Sequence, residues 1–583
     1  MVTGSMRLIN IDAFLRREQL FYSGKRVERR TKVLEFRDDE ATKYAILSHR
    51  WIDPKEVDYE EMVDLAKMDR QEQDEIRGRL GYKKIVDTCK QAKRDGYEWV
   101  WVDTCCIDKR SSAELSEAIN SMYRWYANAK ICYAYLHDLD DSFPTRKDVE
   151  KYRNSNGWPE WFSRGWTLQE MIAPQNLQFF NKHWRPIGDK KRFARDLRRI
   201  TGVPQEILVN GLEGNRPCVA QIMSWAAYRT TTRVEDRAYS LMGLLDVNMP
   251  MLYGEGRKAF HRLQLEVIRS SNDQSIFAWR HESDVRMGSI LADDPGAFED
   301  CSSIKLMHYN EFIKEFTNRR WTNADKEHFD AFPIMNRGIQ IWMPLCRYRE
   351  SKCVFRAYLP CRDGDGSFVT IDLVLWDSNY YRYPRWKGAT PEKYSAEFSQ
   401  VYLRYQDTPN HTVTFEIDDS ATIENGFTCS HVDPTNLTRN TFTLTNANPF
   451  CAKTYSEERG NGRFTVDFGQ CLGLDWVDLN VAYDPMPCIN GALTVQVPDG
   501  AIFMADPPSQ VDSIGYLRVF HLRLPGSTSI VRIYRVAWQR SKIRLRIEVF
   551  QGPTFQSGLY KWNTYNVEVS GFFVHVDHYH DRP

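Results

Sequence analysis

"YAILSHRW" spans residues 44–51. Four apolar or aromatic residues run straight into Ser48, His49, Arg50 and Trp51. A short apolar run reads as a buried strand. This one ends in a polar, charged and aromatic cluster. Downstream the pattern alternates. Tyr82, Ile85, Val86, Cys89 and Ala92 recur at helical spacing, and "YEWVWVD" (97–103) reads as a second strand, aromatic and β-branched. Leu115, Ile119, Met122 and Tyr126 form the next helical stripe, followed by "KICYAYL" (130–136) as a strand. "WTLQEMI" (166–172) opens a short helix that stops before Pro174, and "LQFF" (177–180) is a further strand. Strands alternating with helices predict an α/β domain with a mainly parallel sheet over residues 6–190.

Residues 191–285 read as a helical extension. Val219, Ile222, Met223 and Ala226 share one face, as do Phe260, Leu263 and Val267. "LADDPGAFED" (291–300) is expected to mark a boundary. Beyond about residue 335 the period changes to two: Ile339, Ile341 and Met343 alternate with Gln340 and Trp342, and Ile543, Leu545, Ile547 and Val549 repeat the pattern. Residues 290–583 are therefore expected to form a β-rich, sandwich-like region, as one sandwich or two.

With 583 residues, two or more domains are expected. Lysine plus arginine equals aspartate plus glutamate at 78 each, so no global basic field is present to hold a nucleic-acid backbone. No apolar run reaches about 18 residues, so no membrane span is expected. "MVTGSMRLIN" carries no apolar signal-peptide core. Thirteen cysteines occur without a CxxC pair, which reads as reduced thiols and a cytoplasmic location.

In open α/β sheets, ligands bind outside the carboxyl ends of the strands. Three segments bring chemistry there: Ser48, His49, Arg50 and Trp51; then Asp103 with Cys105 and Cys106; then "SRGWTLQE" (163–170), where Trp166 and Glu170 are one helical turn apart. A partly buried carboxylate between aromatic walls suits glycosyl transfer, because it stabilises an oxocarbenium-like centre or grips sugar hydroxyls. Structural readings stand beside each of these. The tryptophans fit a core, Ser48 fits a cap, and Asp103 fits a turn. Glu170 fits a structural ion pair, and the vicinal cysteines fit buried small hydrophobes. Arg233, Glu235, Asp236 and Arg237 read as an ion-pair network, and "YGEGRKAFHRL" (253–263) as a loop into a helix. "HVDHYH" (575–580) splits its histidines across two strand faces, and no metal site is expected.

"YAILSHRW", "GYKKIVDTCKQAKRDGYEWVWVDTCCIDK", "ELSEAINSMYRWYANAKICYAYL" and "SRGWTLQEMIAPQNLQFF" together resemble the fungal heterokaryon incompatibility (HET) domain over about residues 41–185. "RVEDRAYSLMGLLDVNMPMLYGEGRKAFHRLQLEVIRSSNDQSIFAW" (233–279) is similar to the helical segment that commonly follows it. The resemblance implies a role in fungal non-self recognition and programmed cell death, with an unidentified incompatibility partner protein. The order "ILSHRW", "LSEAINSM", "SRGWTLQE" is in turn similar to the Toll/interleukin-receptor (TIR) pattern. In TIR enzymes the glutamate of the last motif acts in cleaving the nicotinamide–ribose bond of NAD+, and assembly is commonly required. Carried over by position, that residue is Glu170. Ser48 and the residues after it then lie beside the nucleotide, and Trp166 forms pocket wall. His49 and Asp103 are candidates for supporting roles. No cofactor is implied, since NAD+ enters as substrate. The alternative implied by the resemblance is a non-catalytic adaptor that self-associates and recruits death machinery.

Overall fold

The structure is a computed structural model. It describes residues 5–25, 32–52, 56–212, 214, 216–280, 288–316, 332–348, 354–376, 378–383, 396–406, 412–433, 440–445, 450–458, 463–471, 474–481, 520–523, 529–539, 542–551, 566–570 and 573–577. His578 and His580 lie outside these residues. The chain divides into two units. The first is Met1–Arg280 with Leu291–Met307 and Pro360–Phe368; the second is His281–Ile290, His308–Leu359 and Val369–Pro583.

The first unit is built on a seven-stranded sheet. Its strands are β1 (Ser5–Asn10), β2 (Leu34–Asp38), β3 (Tyr44–His49), β4 (Trp99–Trp101), β5 (Ile131–Tyr135), β6 (Leu177–Phe180) and β7 (Pro186–Asp189), in the order β2-β1-β4-β3-β5-β6-β7. All six residues of β3 are buried, which is why it reads as a continuous apolar run. The four middle strands, β4-β3-β5-β6, are parallel. β1 pairs antiparallel with both β2 and β4, and β7 pairs antiparallel with β6. The sheet is therefore mixed, not mainly parallel. Two of the antiparallel strands, β2 and β7, escaped notice because they sit at the edges, half-exposed or exposed throughout, and show no apolar signature; β1 is buried, but Arg7 interrupts its apolar run.

Helix Leu80–Arg94 connects β3 to β4, helix Ser112–Asn128 connects β4 to β5, and the short helix Thr167–Ile172 precedes β6. Tyr82, Ile85, Cys89 and Ala92 are buried on the first, and Ile119, Met122, Trp125 and Tyr126 on the second. Further helices at Val219–Ser224, Asp236–Tyr239, Met242–Leu245 and Lys258–Ser270 pack in the same unit. The 3-10 segment Pro295–Ser303 also belongs to it.

The second unit is β-rich. Strands Val354–Arg362, Phe368–Trp376, Asn379–Tyr383, Glu397–Leu403 and Gly338–Arg347 follow one another in a sheet, and the last pairs back onto the first to close a barrel. Ile339, Ile341 and Met343 are buried as the period of two requires. A second body has a five-stranded and a four-stranded sheet sharing one core. Phe415, Phe442, Leu545 and Ile547 from one sheet join Tyr455, Phe464 and Phe468 from the other. The expected sandwich is thus accompanied by a barrel.

Candidate active site

The polar ends of the middle strands meet where the strand order reverses. From β3 the chain passes to β4 on one side, then returns past β3 to β5 on the other. Such a reversal opens a crevice outside the carboxyl ends of the strands. At the end of β3, Ser48 lies level with Ala134 and His49 with Tyr135.

Ser48 Oγ donates to Glu170 Oε2 at 2.5 Å, and Trp161 Nε1 donates to Ser48 Oγ at 2.8 Å. Three residues from three separate segments thus form one chain of hydrogen bonds. Glu170 is carried on helix Thr167–Ile172, whose six residues are all buried. Both ends of that helix are held by buried cations. Lys190 Nζ donates to the carbonyls of Met171 and Ile172 at 3.2 and 3.3 Å and also to that of Pro174. Arg229 Nη1 donates to the Arg164 carbonyl at 2.8 Å and to Thr167 Oγ1 at 3.0 Å. Burial pushes Lys190 down to about 8 and Arg229 down to about 9.

Glu170 is 4% exposed. Burial, joined by the negative charge of Asp103, pushes its carboxyl up to about 8; the hydrogen bonds of Ser48 and Tyr126 and the Arg164 guanidinium pull the other way without prevailing. In this closed arrangement the acid is mostly protonated at neutral pH.

The remaining predicted residues form the surroundings. His49 Nε2 lies 3.7 Å from Glu56 Oε2 and 3.8 Å from Asp103 Oδ1. Lys84 Nζ meets Glu56 Oε1 at 2.5 Å. Burial raises the Glu56 carboxyl, but His49 and Lys84 together outweigh it and hold the group well below the usual carboxylate range. Trp51 is half exposed; its Nε1 donates to Asp103 Oδ2 at 2.7 Å, and Lys109 Nζ sits 3.7 Å from its ring centroid. Asp103 opens a four-residue helix, Asp103–Cys106. Arg50 Nε meets Glu160 Oε2 at 2.8 Å. Trp166 acts instead on the Asp236 carboxyl, pulling it down against the burial that raises it, and it is Trp161 whose indole reaches the Ser48–Glu170 pair. Cys105 is raised far above an ordinary thiol by hydrogen bonding with the neighbouring Cys106 thiol and by burial, the opposite of an activated nucleophile.

The charged series at 233–237 finds separate partners. Glu235 accepts the Gly254 and Gly256 amides at 2.8 and 3.1 Å, and Arg237 pairs with Asp294 at 2.5 Å. Sequence reasoning missed Trp161, Glu56, Lys84 and Arg229. Lys84 alone carried a local signal, since it stands inside an apolar helical stripe, where a lysine needs a partner.

The candidate site is thus an enclosed acid at the reversal point of an α/β sheet. The comparisons with known proteins place it further. Residues 44–156 match the family described as Heterokaryon incompatibility protein (HET), so the chain carries a HET domain over that stretch. The match contains β3, β4 and β5, while Trp161, Trp166 and Glu170 fall just beyond it. Over 258 residues the chain is 43% identical to the vegetative incompatibility protein HET-E-1 of Podospora anserina; this stretch is 43% of the chain and 18% of that protein. The chain thus spans about 18% of the length of that relative. Among solved structures, the Xerocomus chrysenteron lectin XCL is similar at 12% identity and a TM-score of 0.16, over 24% of this chain and 100% of that one. A likeness of that size carries no assignment.

Proposed function

We propose that the protein is an effector of heterokaryon incompatibility whose HET domain cleaves NAD+ between nicotinamide and ribose. The observation that carries this reading is the Ser48–Glu170 hydrogen bond, which joins the end of β3 to the short helix before β6 beside a strand-order reversal. The C1′–N bond breaks and its electron pair stays on nicotinamide, which departs neutral from a pyridinium. Water adds to C1′ and releases a proton. Ionised Glu170 stabilises the ribosyl cation, and Trp51 offers an aromatic face beside the site. Positioning and electrostatics supply the rate, because the leaving group needs no acid.

Enclosure of Glu170 makes the described form a resting one. A substrate reaches the carboxylate only after the Trp161–Ser48 contact opens, and opening to water also restores its charge. Self-association is the proposed trigger. The same enclosure favours one competing reading, a non-catalytic adaptor in which the Ser48–Glu170 bond is structural. Cell killing and NAD+ loss by Glu170→Gln separate the two. The enzyme reading expects the variant to lose both while circular dichroism and self-association persist, and an adaptor keeps killing.

A further inference from the structure

Beside the Ser48–Glu170 pair lies a second group of side chains with no part in that chemistry. His137 and Asp138 follow the end of β5, and Glu160 opens the 3-10 turn Glu160–Ser163. His137 Nε2 is 3.5 Å from Glu160 Oε2, and His137 Nδ1 is 3.9 Å from Asp138 Oδ1. One donor atom from each residue lies within 4.8 Å of the others. His137 Nδ1 and Asp138 Oδ1 are buried atoms without a hydrogen-bond partner, while Glu160 Oε2 already faces the Arg50 guanidinium at 2.8 Å. Two orphaned polar atoms of metal-ligating types, with a third carboxylate oxygen beside them, call for a shared partner.

We propose that His137, Asp138 and Glu160 form a site for a divalent transition metal. One imidazole with two carboxylates suits zinc or manganese better than the all-oxygen shells of magnesium and calcium. Zinc held at 2.0–2.2 Å brings neighbouring donors to roughly 3.4 Å of one another, so the group contracts on binding without being rebuilt. The shell is prepared for this. Asp138 Oδ2 accepts the Glu160 amide at 2.9 Å, which fixes that carboxylate and leaves Oδ1 aimed at the histidine. Arg50, at 2.8 Å from Glu160 Oε2, supplies positive charge where the metal would sit. It competes with the ion and sets a limit on its affinity. The site would tie the end of β5 to the turn that carries Trp161, and so brace the Trp161–Ser48 bond.

The test uses the full chain, stripped with a chelator and titrated calorimetrically with zinc, followed by X-ray absorption at the zinc edge. One zinc per chain is expected, with a nitrogen and oxygen shell that includes imidazole. His137→Ala and Glu160→Gln should each weaken binding by about tenfold or more, and Arg50→Gln should tighten it. A sulfur shell, no zinc bound, or affinity unchanged in both ligand variants overturns the proposal. Should either variant fail to fold by circular dichroism, the absorption spectrum of the unaltered chain still decides. None of these readouts involves NAD+.

Discussion

At the scale of single residues, Glu170 is a buried acid of the first unit, bonded to Ser48. Its ordinary carboxyl value is 4.5, and the fold raises it to about 8. Between those values the folded state keeps a proton that the unfolded chain has lost. Stability contributed by this group is therefore full at low pH, falls as pH rises from about 4.5, and is exhausted near 8. Glu170→Gln mimics the protonated form and removes the loss. The variant should match the parent's stability near pH 4 and exceed it increasingly toward pH 8, by up to about 5 kcal/mol, read as a growing difference in melting temperature. Melting curves that stay parallel across that range would contradict the buried-acid account. Ser48→Ala should cost about 1–3 kcal/mol in chemical denaturation, because it leaves the Trp161 indole without its acceptor. Ser48 was legible in the sequence through its place at a strand end, and Glu170 through the helical spacing and motif resemblance of "SRGWTLQE". Trp166 shows where spacing stops informing. It acts on the carboxyl of Asp236, 70 positions away, and no local period reports that.

At the scale of elements, the site depends on how one short helix is held. Six residues make little more than a turn and a half, too short to be stable alone. Lys190 satisfies carbonyls at its carboxyl end, where a cation also suits the helix dipole. Lys190→Met should destabilise the first unit by roughly 1.5–3 kcal/mol, read by denaturant melts, because charged hydrogen bonds are lost and carbonyls are left buried. Gly243 makes a second element-level test. A Cβ there would lie 2.2 Å from Tyr123 Cβ, where helix Met242–Leu245 meets helix Ser112–Asn128. Gly243→Ala should cost about 1–3 kcal/mol through overpacking, and an unchanged melt would show that the helices separate freely. The four buried middle strands were readable because burial on both faces demands apolar runs, whereas β1, buried but carrying Arg7, was not read. The edge strands β2 and β7 were not, because edges make no such demand.

At the scale of the whole molecule, composition and packing part ways around residue 290. "LADDPGAFED" has the proline, glycine and acidic residues of a linker. In the structure it binds the first unit: Gln264 donates to the Ala292 carbonyl and accepts its amide at 2.8 and 2.9 Å, and Arg237 pairs with Asp294. A fragment of residues 1–307 should therefore melt higher than one of residues 1–285, and equal melting temperatures would show that these bonds contribute nothing. In the second unit the period of two was legible, whereas barrel closure rests on the pairing of Gly338–Arg347 with Val354–Arg362, which no periodicity specifies. The central claim is that Glu170 and the end of β3 form an NAD+-cleaving site. Its most direct test is nicotinamide release by the purified full chain at several concentrations, across pH 5–9, beside Glu170→Gln. The account predicts release that the variant lacks, with kcat/KM rising about tenfold per pH unit toward 8 and level above it. Equal release by parent and variant, or none even when the chain is forced to cluster, would contradict it.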